Sequence, residues 1–118
     1  MGDMYRWDFT SNSDAMGSVY GNYQALISRA NFIIGGYDKC DMSNEMLFTP
    51  EEKANVSNIK GEAFFVRAYS IFMLSQYFCA DYDANTATAA NSGVSYRLDY
   101  APSSSSSTYP GRKTLAET

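Results

Sequence analysis

The groups in this 118-residue chain best suited to chemistry are its carboxylates, two thiols and a run of serines, and their spacing fits none of the familiar reactions. There is no His, which removes the commonest general base, the usual partner of a nucleophilic Ser or Cys, and the commonest zinc ligand. Asp81-Tyr82-Asp83-Ala84-Asn85 opens with the Asp-x-Asp-x-Asn spacing of a calcium loop. Thr86 then stands where the sharp turn needs Gly, and Ser92 where the bidentate Glu belongs. An EF-hand is therefore excluded, and a solvated acidic turn is expected. Glu62 has no second acid at the spacing a paired-carboxylate mechanism needs. Ser103 to Ser107 lacks the Gly-x-Ser-x-Gly setting of a nucleophile. Cys40 and Cys79 have no close-spaced partner and read as two ordinary thiols. The expectation is a protein that is not an enzyme, with no catalytic residue, no metal ligand set and no cofactor.

Composition narrows the partners. Nine basic and thirteen acidic residues give a net charge of −4, and the basic ones are scattered, so no nucleic-acid partner is expected. Aromatic residues make up 15%, with ten Tyr, seven Phe and one Trp. Tyr and Trp join a flat apolar face to a polar tip, which suits interfaces and sugar-like ligands, although the same residues also fill cores. Met1-Gly2-Asp3 is not the basic start of a secretory signal, and no apolar run reaches membrane-spanning length.

These side chains need elements to position them. The pattern predicts a helix over about 14–35, starting from Ser13 or Asp14 as cap. Its apolar face is Tyr20, Tyr23, Ile27, Ala30 and Ile34. Gly17, Gly21 and Ala25 form a small-residue ridge that would let another helix approach, and Gly35-Gly36 is expected to stop the helix. After a loop from Tyr37 to Phe48, Thr49-Pro50-Glu51-Glu52 opens a helix over about 49–78: Thr caps it, Pro fits its first turn, and two acids meet its positive end. The expected face is Val56, Ile59, Ala63, Val66, Ser70, Met73 and Tyr77. From Ala63 onward the helix is apolar on most sides, as buried helices are. At ~1.5 Å per residue it is roughly 45 Å long, more than the first helix can cover. Further residues or another subunit must supply the rest, and the chain alone is expected to fold poorly. Arg29 and Glu62, each a charge in an apolar surrounding, are expected to pair across the two helices. A loop is expected over 79–113, with a short extended stretch at Gly93 to Leu98. Thr114-Leu115-Ala116-Glu117 has a capping-box pattern, so a further helix is expected to start at 114, and the chain reads as a fragment.

Three stretches then fall into one order. Tyr23 to Asn31 ends in Ile27-Ser28-Arg29-Ala30-Asn31. Gly61-Glu62-Ala63-Phe64-Phe65-Val66-Arg67-Ala68-Tyr69 is followed by Leu74 and Tyr77-Phe78. Gly93-Val94 leads to Pro110-x-Arg112-x-Thr114-x-x-Glu117. Together they resemble the N-terminal half of the SusD/RagB family, over roughly Tyr20 to Glu117. The resemblance implies an all-α fold of tetratricopeptide-like helical hairpins with long irregular loops, part of a larger α-rich SusD-like fold of which this chain holds a partial N-terminal domain. It implies a surface lipoprotein of Bacteroidetes-type bacteria at the extracellular face of the cell outer membrane. Such a protein binds a polysaccharide, an oligosaccharide or another nutrient and works with a TonB-dependent outer-membrane transporter. Neither Cys40 nor Cys79 lies in the N-terminal signal that carries the family's lipid, so the anchor is expected to be absent from this chain. Family glycan contacts come largely from loop aromatics, and Tyr5, Trp7 and Asn12 occupy a comparable place before the first motif helix. Their rings would stack on the C–H face of a pyranose while Asn12 reaches its hydroxyls. The alternative for Trp7 is an anchor of that loop to the core. For the chain as a whole, the alternative is a helical-repeat protein-interaction module without a small-molecule ligand.

Overall fold

The computed structural model describes residues 14–43, 47–103 and 105–118. Two α-helices dominate: α1 spans Asp14–Lys39 and α2 spans Pro50–Phe78. Short 3-10 turns follow at Ser106–Thr108 and Leu115–Glu117, and there is no strand among the described residues. The fold is all-α.

α2 begins as its sequence spells out. The Thr49 hydroxyl accepts from the Glu52 N–H at 3.3 Å, and the Glu52 carboxylate accepts from the Thr49 N–H at 2.7 Å. This reciprocal box satisfies two donors that a helix start leaves unpaired, and Pro50 has no N–H to satisfy. Donation to its carboxylate from the Thr49 N–H, the larger cause, and from the Thr49 hydroxyl at 2.8 Å holds the Glu52 carboxyl below the usual Glu range.

α1 departs from expectation at its end. It continues through Gly35-Gly36 to Lys39, four residues past the expected stop. Neither glycine has positive φ, so the left-handed cap that normally exploits Gly does not form. Tertiary contacts outweigh the propensity cost. Ile34 is buried, and Asp38 on the added turn takes an ion pair from Lys60 of α2. The small-residue ridge at Gly17 and Gly21 faces open space, with nothing within 4 Å of a Cβ placed at either.

The helices run antiparallel. Tyr20 meets Phe78 edge-on with ring centroids 5.2 Å apart, Tyr23 stacks on Tyr77 at 6.3 Å, and Asp38 reaches back to Lys60. α1 buries Ile27, Ala30, Asn31 and Ile34; α2 buries Ala63, Ser70, Ile71 and Leu74. The α2 face is thus rotated from the expected line. Ala63 and Ser70 lie on it, but Ile59, Val66 and Tyr77 are exposed. The cause is a third layer made of loop. Val94, 2% exposed, joins Ile27, Ile71 and Leu74 in the core, drawing the buried face toward Ile71 and Leu74. The opposite side of α2 stays uncovered, with Phe65 70% and Phe72 57% exposed and Phe64 and Tyr69 also open to solvent.

Candidate functional site

The polar residues of the motif helices hold the loop after α2. Asn31 is 3% exposed within the apolar stripe of α1. Its amide donates to the carbonyls of Arg97 at 2.8 Å and Asp99 at 3.4 Å, while its oxygen accepts from Arg67 of α2 at 2.9 Å. Arg67 also donates to the Leu98 carbonyl at 3.1 Å, and Gln24 donates to the Ser95 carbonyl at 2.6 Å. A loop lacking its own hydrogen-bond ladder must satisfy its carbonyls elsewhere, and here the two helices do so. Arg112 fixes the returning segment of the loop. Its guanidinium donates to the Gly93 carbonyl at 2.7 Å and to the Phe78 carbonyl, at the negative end of α2, at 3.2 Å.

The end of the described chain closes this unit. The Gly93 N–H donates to the Lys113 carbonyl, and the Lys113 N–H donates to the Val94 carbonyl. Gly93 is required there: a Cβ would run into the Thr114 carbonyl and the Thr118 side chain. Thr114 donates from its N–H and its hydroxyl to the Glu117 carboxylate, at 2.9 and 2.8 Å, starting the single 3-10 turn at Leu115–Glu117. The acidic stretch after α2 makes an Asx turn. One Asp83 carboxylate oxygen accepts from the N–H and the side-chain amide of Asn85, both at 2.9 Å.

A cleft of about 500 Å3 opens between α1 and the pinned loop. Tyr20 and Ile27 form its inner wall; Tyr100, Tyr109, Arg97 and Asp99 stand on the loop side. Arg97 grips Asp99 with two bonds, Nη2 to Oδ2 at 2.9 Å and Nε to Oδ1 at 3.2 Å, and donates to the Thr108 carbonyl at 3.3 Å. Hydrogen bonding from Arg97 holds the Asp99 carboxyl below the usual Asp range. Ser95 closes the base of the loop through its hydroxyl to the Pro110 carbonyl at 2.6 Å. A second, larger groove of about 680 Å3 runs along the open side of α2, past Phe64, Phe72, Tyr82 and Leu115.

Tyr5, Trp7 and Asn12 lie outside the described residues. Arg29 and Glu62 line one shallow groove on facing helix positions, yet they form no ion pair; the ion pairs among the described residues are Lys60–Asp38 and Arg97–Asp99. Both Arg29 and Glu62 are exposed, so water solvates each charge and little drives them together. Cys40 and Cys79 are free thiols. The roles of Asn31, Arg67 and Gln24 were not read from sequence. A lone Asn one turn after Ile27, on the buried stripe, is the signal that marks it.

A family model described as SusD-like, starch-binding and associating with the outer membrane matches residues 2–118. The chain belongs to this SusD-like family. No curated protein and no solved structure matches it. In this SusD-like chain, the Arg29-Ala30-Asn31 and Arg67-Ala68-Tyr69 motifs meet through Asn31 and Arg67. The Pro110-x-Arg112-x-Thr114-x-x-Glu117 motif closes the loop they hold. The motifs therefore build a scaffold for a loop, and that loop carries the cleft. No helix among the described residues is long and apolar enough to cross a membrane.

Proposed function

We propose that this chain captures glycans at the outer-membrane surface of a bacterium, holds them without covalent chemistry, and works with a TonB-dependent transporter that takes the ligand inward. The match of residues 2–118 to a starch-binding family that associates with the outer membrane carries this reading. The mechanism is recognition by loop aromatics on a rigid helical base. Rigid placement lowers the ordering cost of binding, which for a polar, water-competing ligand such as a sugar decides affinity. In this reading Tyr5, Trp7 and Asn12 add ligand contacts, and a lipid on the parent protein holds it at the extracellular face.

Affinity electrophoresis of the full-length protein through gels containing starch or other polysaccharides tests the reading. Retarded migration in at least one polysaccharide is expected. A second reading, a helical-repeat module that binds proteins alone, is favoured by the open aromatic side of α2, where Phe64, Phe65, Tyr69 and Phe72 face solvent. Unretarded migration in every polysaccharide, together with a stable complex with a protein partner, would select that second reading. A parent gene with no transporter gene beside it would count against the transporter partnership.

A further inference from the structure

Arg97 and Asp99 are placed more firmly than a surface ion pair requires. Their side chains are 33% and 65% exposed, and an exposed pair adds little to stability. Yet the backbone carbonyls of both residues are held by the buried Asn31 amide, and the loop around them is closed by Ser95 and Thr108. The result is a fixed planar fork on the loop side of the α1 cleft. Each Asp99 oxygen accepts one bond from Arg97 and retains a second lone pair. Beside the fork, Tyr109 is 63% exposed; Tyr100, 47% exposed, meets Phe32 in a T-shaped contact with ring centroids 5.0 Å apart, and neither tyrosine hydroxyl has a hydrogen-bond partner among the described residues. The cleft volume of about 500 Å3 lies within the range of small-ligand sites.

Fixed donors and acceptors beside open aromatic faces match the two sides of a pyranose, its equatorial hydroxyls and its C–H face. The fork carries no net charge, so a carboxylated or phosphorylated sugar would meet Asp99 while Arg97 is already engaged. We infer that the cleft between α1 and the 95–110 loop is a subsite for hexose units of a neutral glycan chain. Tyr100 and Tyr109 stack on the rings, and the Arg97–Asp99 fork bonds neighbouring hydroxyls. This subsite rests on the glycan-capture reading.

Calorimetric titration of maltoheptaose, cellohexaose and oligogalacturonate into the full-length protein tests it, with Tyr109→Ala, Tyr109→Phe and Asp99→Asn alongside. The wild type is expected to bind a neutral oligosaccharide. Tyr109→Ala is expected to weaken that binding about tenfold, with Tyr109→Phe near wild type and Asp99→Asn weakened; all variants should keep the wild-type melting midpoint. Binding should also slow amide hydrogen exchange within 95–100, a readout that a merely structural role for Tyr109 does not predict. Wild-type binding that Tyr109→Ala and Asp99→Asn leave unchanged would overturn the subsite and leave glycan capture standing. Binding to oligogalacturonate alone would overturn the neutral-ligand assignment. No binding to any of the three would remove this subsite and count against capture as well.

Discussion

Asn31 shows how one residue links the helices to the loop. It is almost fully buried, and its side chain bonds both to Arg67 and to two loop carbonyls. Asn31→Ala would leave those groups without partners, at a cost of about 1–3 kcal/mol. A lowered thermal midpoint should accompany faster hydrogen exchange in the loop; an unchanged midpoint would mean the clamp is dispensable. Gly93 makes a contrasting case, since its constraint is space. Gly93→Ala would push a methyl group into the Thr114 backbone, which cannot swing aside as a side chain would. A destabilisation of about 1–3 kcal/mol is expected, typical of overpacking, and chemical denaturation measures it. The sequence marks Asn31 as a polar residue on a buried stripe, but the partners of neither residue can be read from it. Asn31 meets partners more than sixty positions away, and Gly93 meets the chain more than twenty positions on. Spacing reports only neighbours along the chain. The Arg97–Asp99 fork is local, but a lone Arg-x-Asp in a loop is too common to mark a cleft.

At the scale of elements, legibility follows locality. The start of α2 was readable because Thr49, Pro50 and Glu52 act within one turn. Thr49→Ala should destabilise by about 1 kcal/mol. The Glu52 bonds also fix a pH dependence. Its folded pKa is lowered, so the stabilisation is complete above the unfolded value of about 4.3 and disappears as pH falls through the lower folded value. Helix content near the α2 start, followed by amide resonances during acid titration, should fall only below that range. Fraying that begins near neutral pH would contradict it. The end of α1 was not readable, because Gly35-Gly36 is a strong local stop and the forces that override it, burial of Ile34 and the reach of Asp38 to Lys60, are tertiary. Since both glycines sit in helix with open space at the Cβ, Gly36→Ala should stabilise the protein by about 0.5–1 kcal/mol. A loss of stability would show that α1 does not run through. The rotation of the α2 face has a related origin: periodicity finds an apolar helix but cannot tell which side a loop such as that of Val94 will cover.

For the whole molecule, the balance of covered and open surface matters most. The described chain extends 58 × 35 × 30 Å, and its central cluster of Ile27, Ile71, Leu74 and Val94 is joined by partly buried Tyr20, Tyr23, Phe78, Cys79 and Tyr96. Along α2, large apolar side chains remain in water, each forgoing roughly 1.5–3 kcal/mol of burial. The isolated 118-residue chain should therefore bind hydrophobic dyes, self-associate and melt broadly. Phe65→Ser with Phe72→Ser should reduce dye binding without lowering the midpoint, and one sharp, monomeric, two-state transition of the unaltered chain would refute this. The all-round apolarity of α2 and the family motifs were both legible in the sequence, because they depend on residue types in order and not on who meets whom. The central claim is that this SusD-like chain belongs to a protein that captures glycans and does not cleave them. Titrating starch into the full-length protein while assaying reducing ends tests it most directly. Saturable binding with the reducing-end count unchanged over hours is expected. Growth in reducing ends, or no binding to starch or to any other polysaccharide tried, would contradict it.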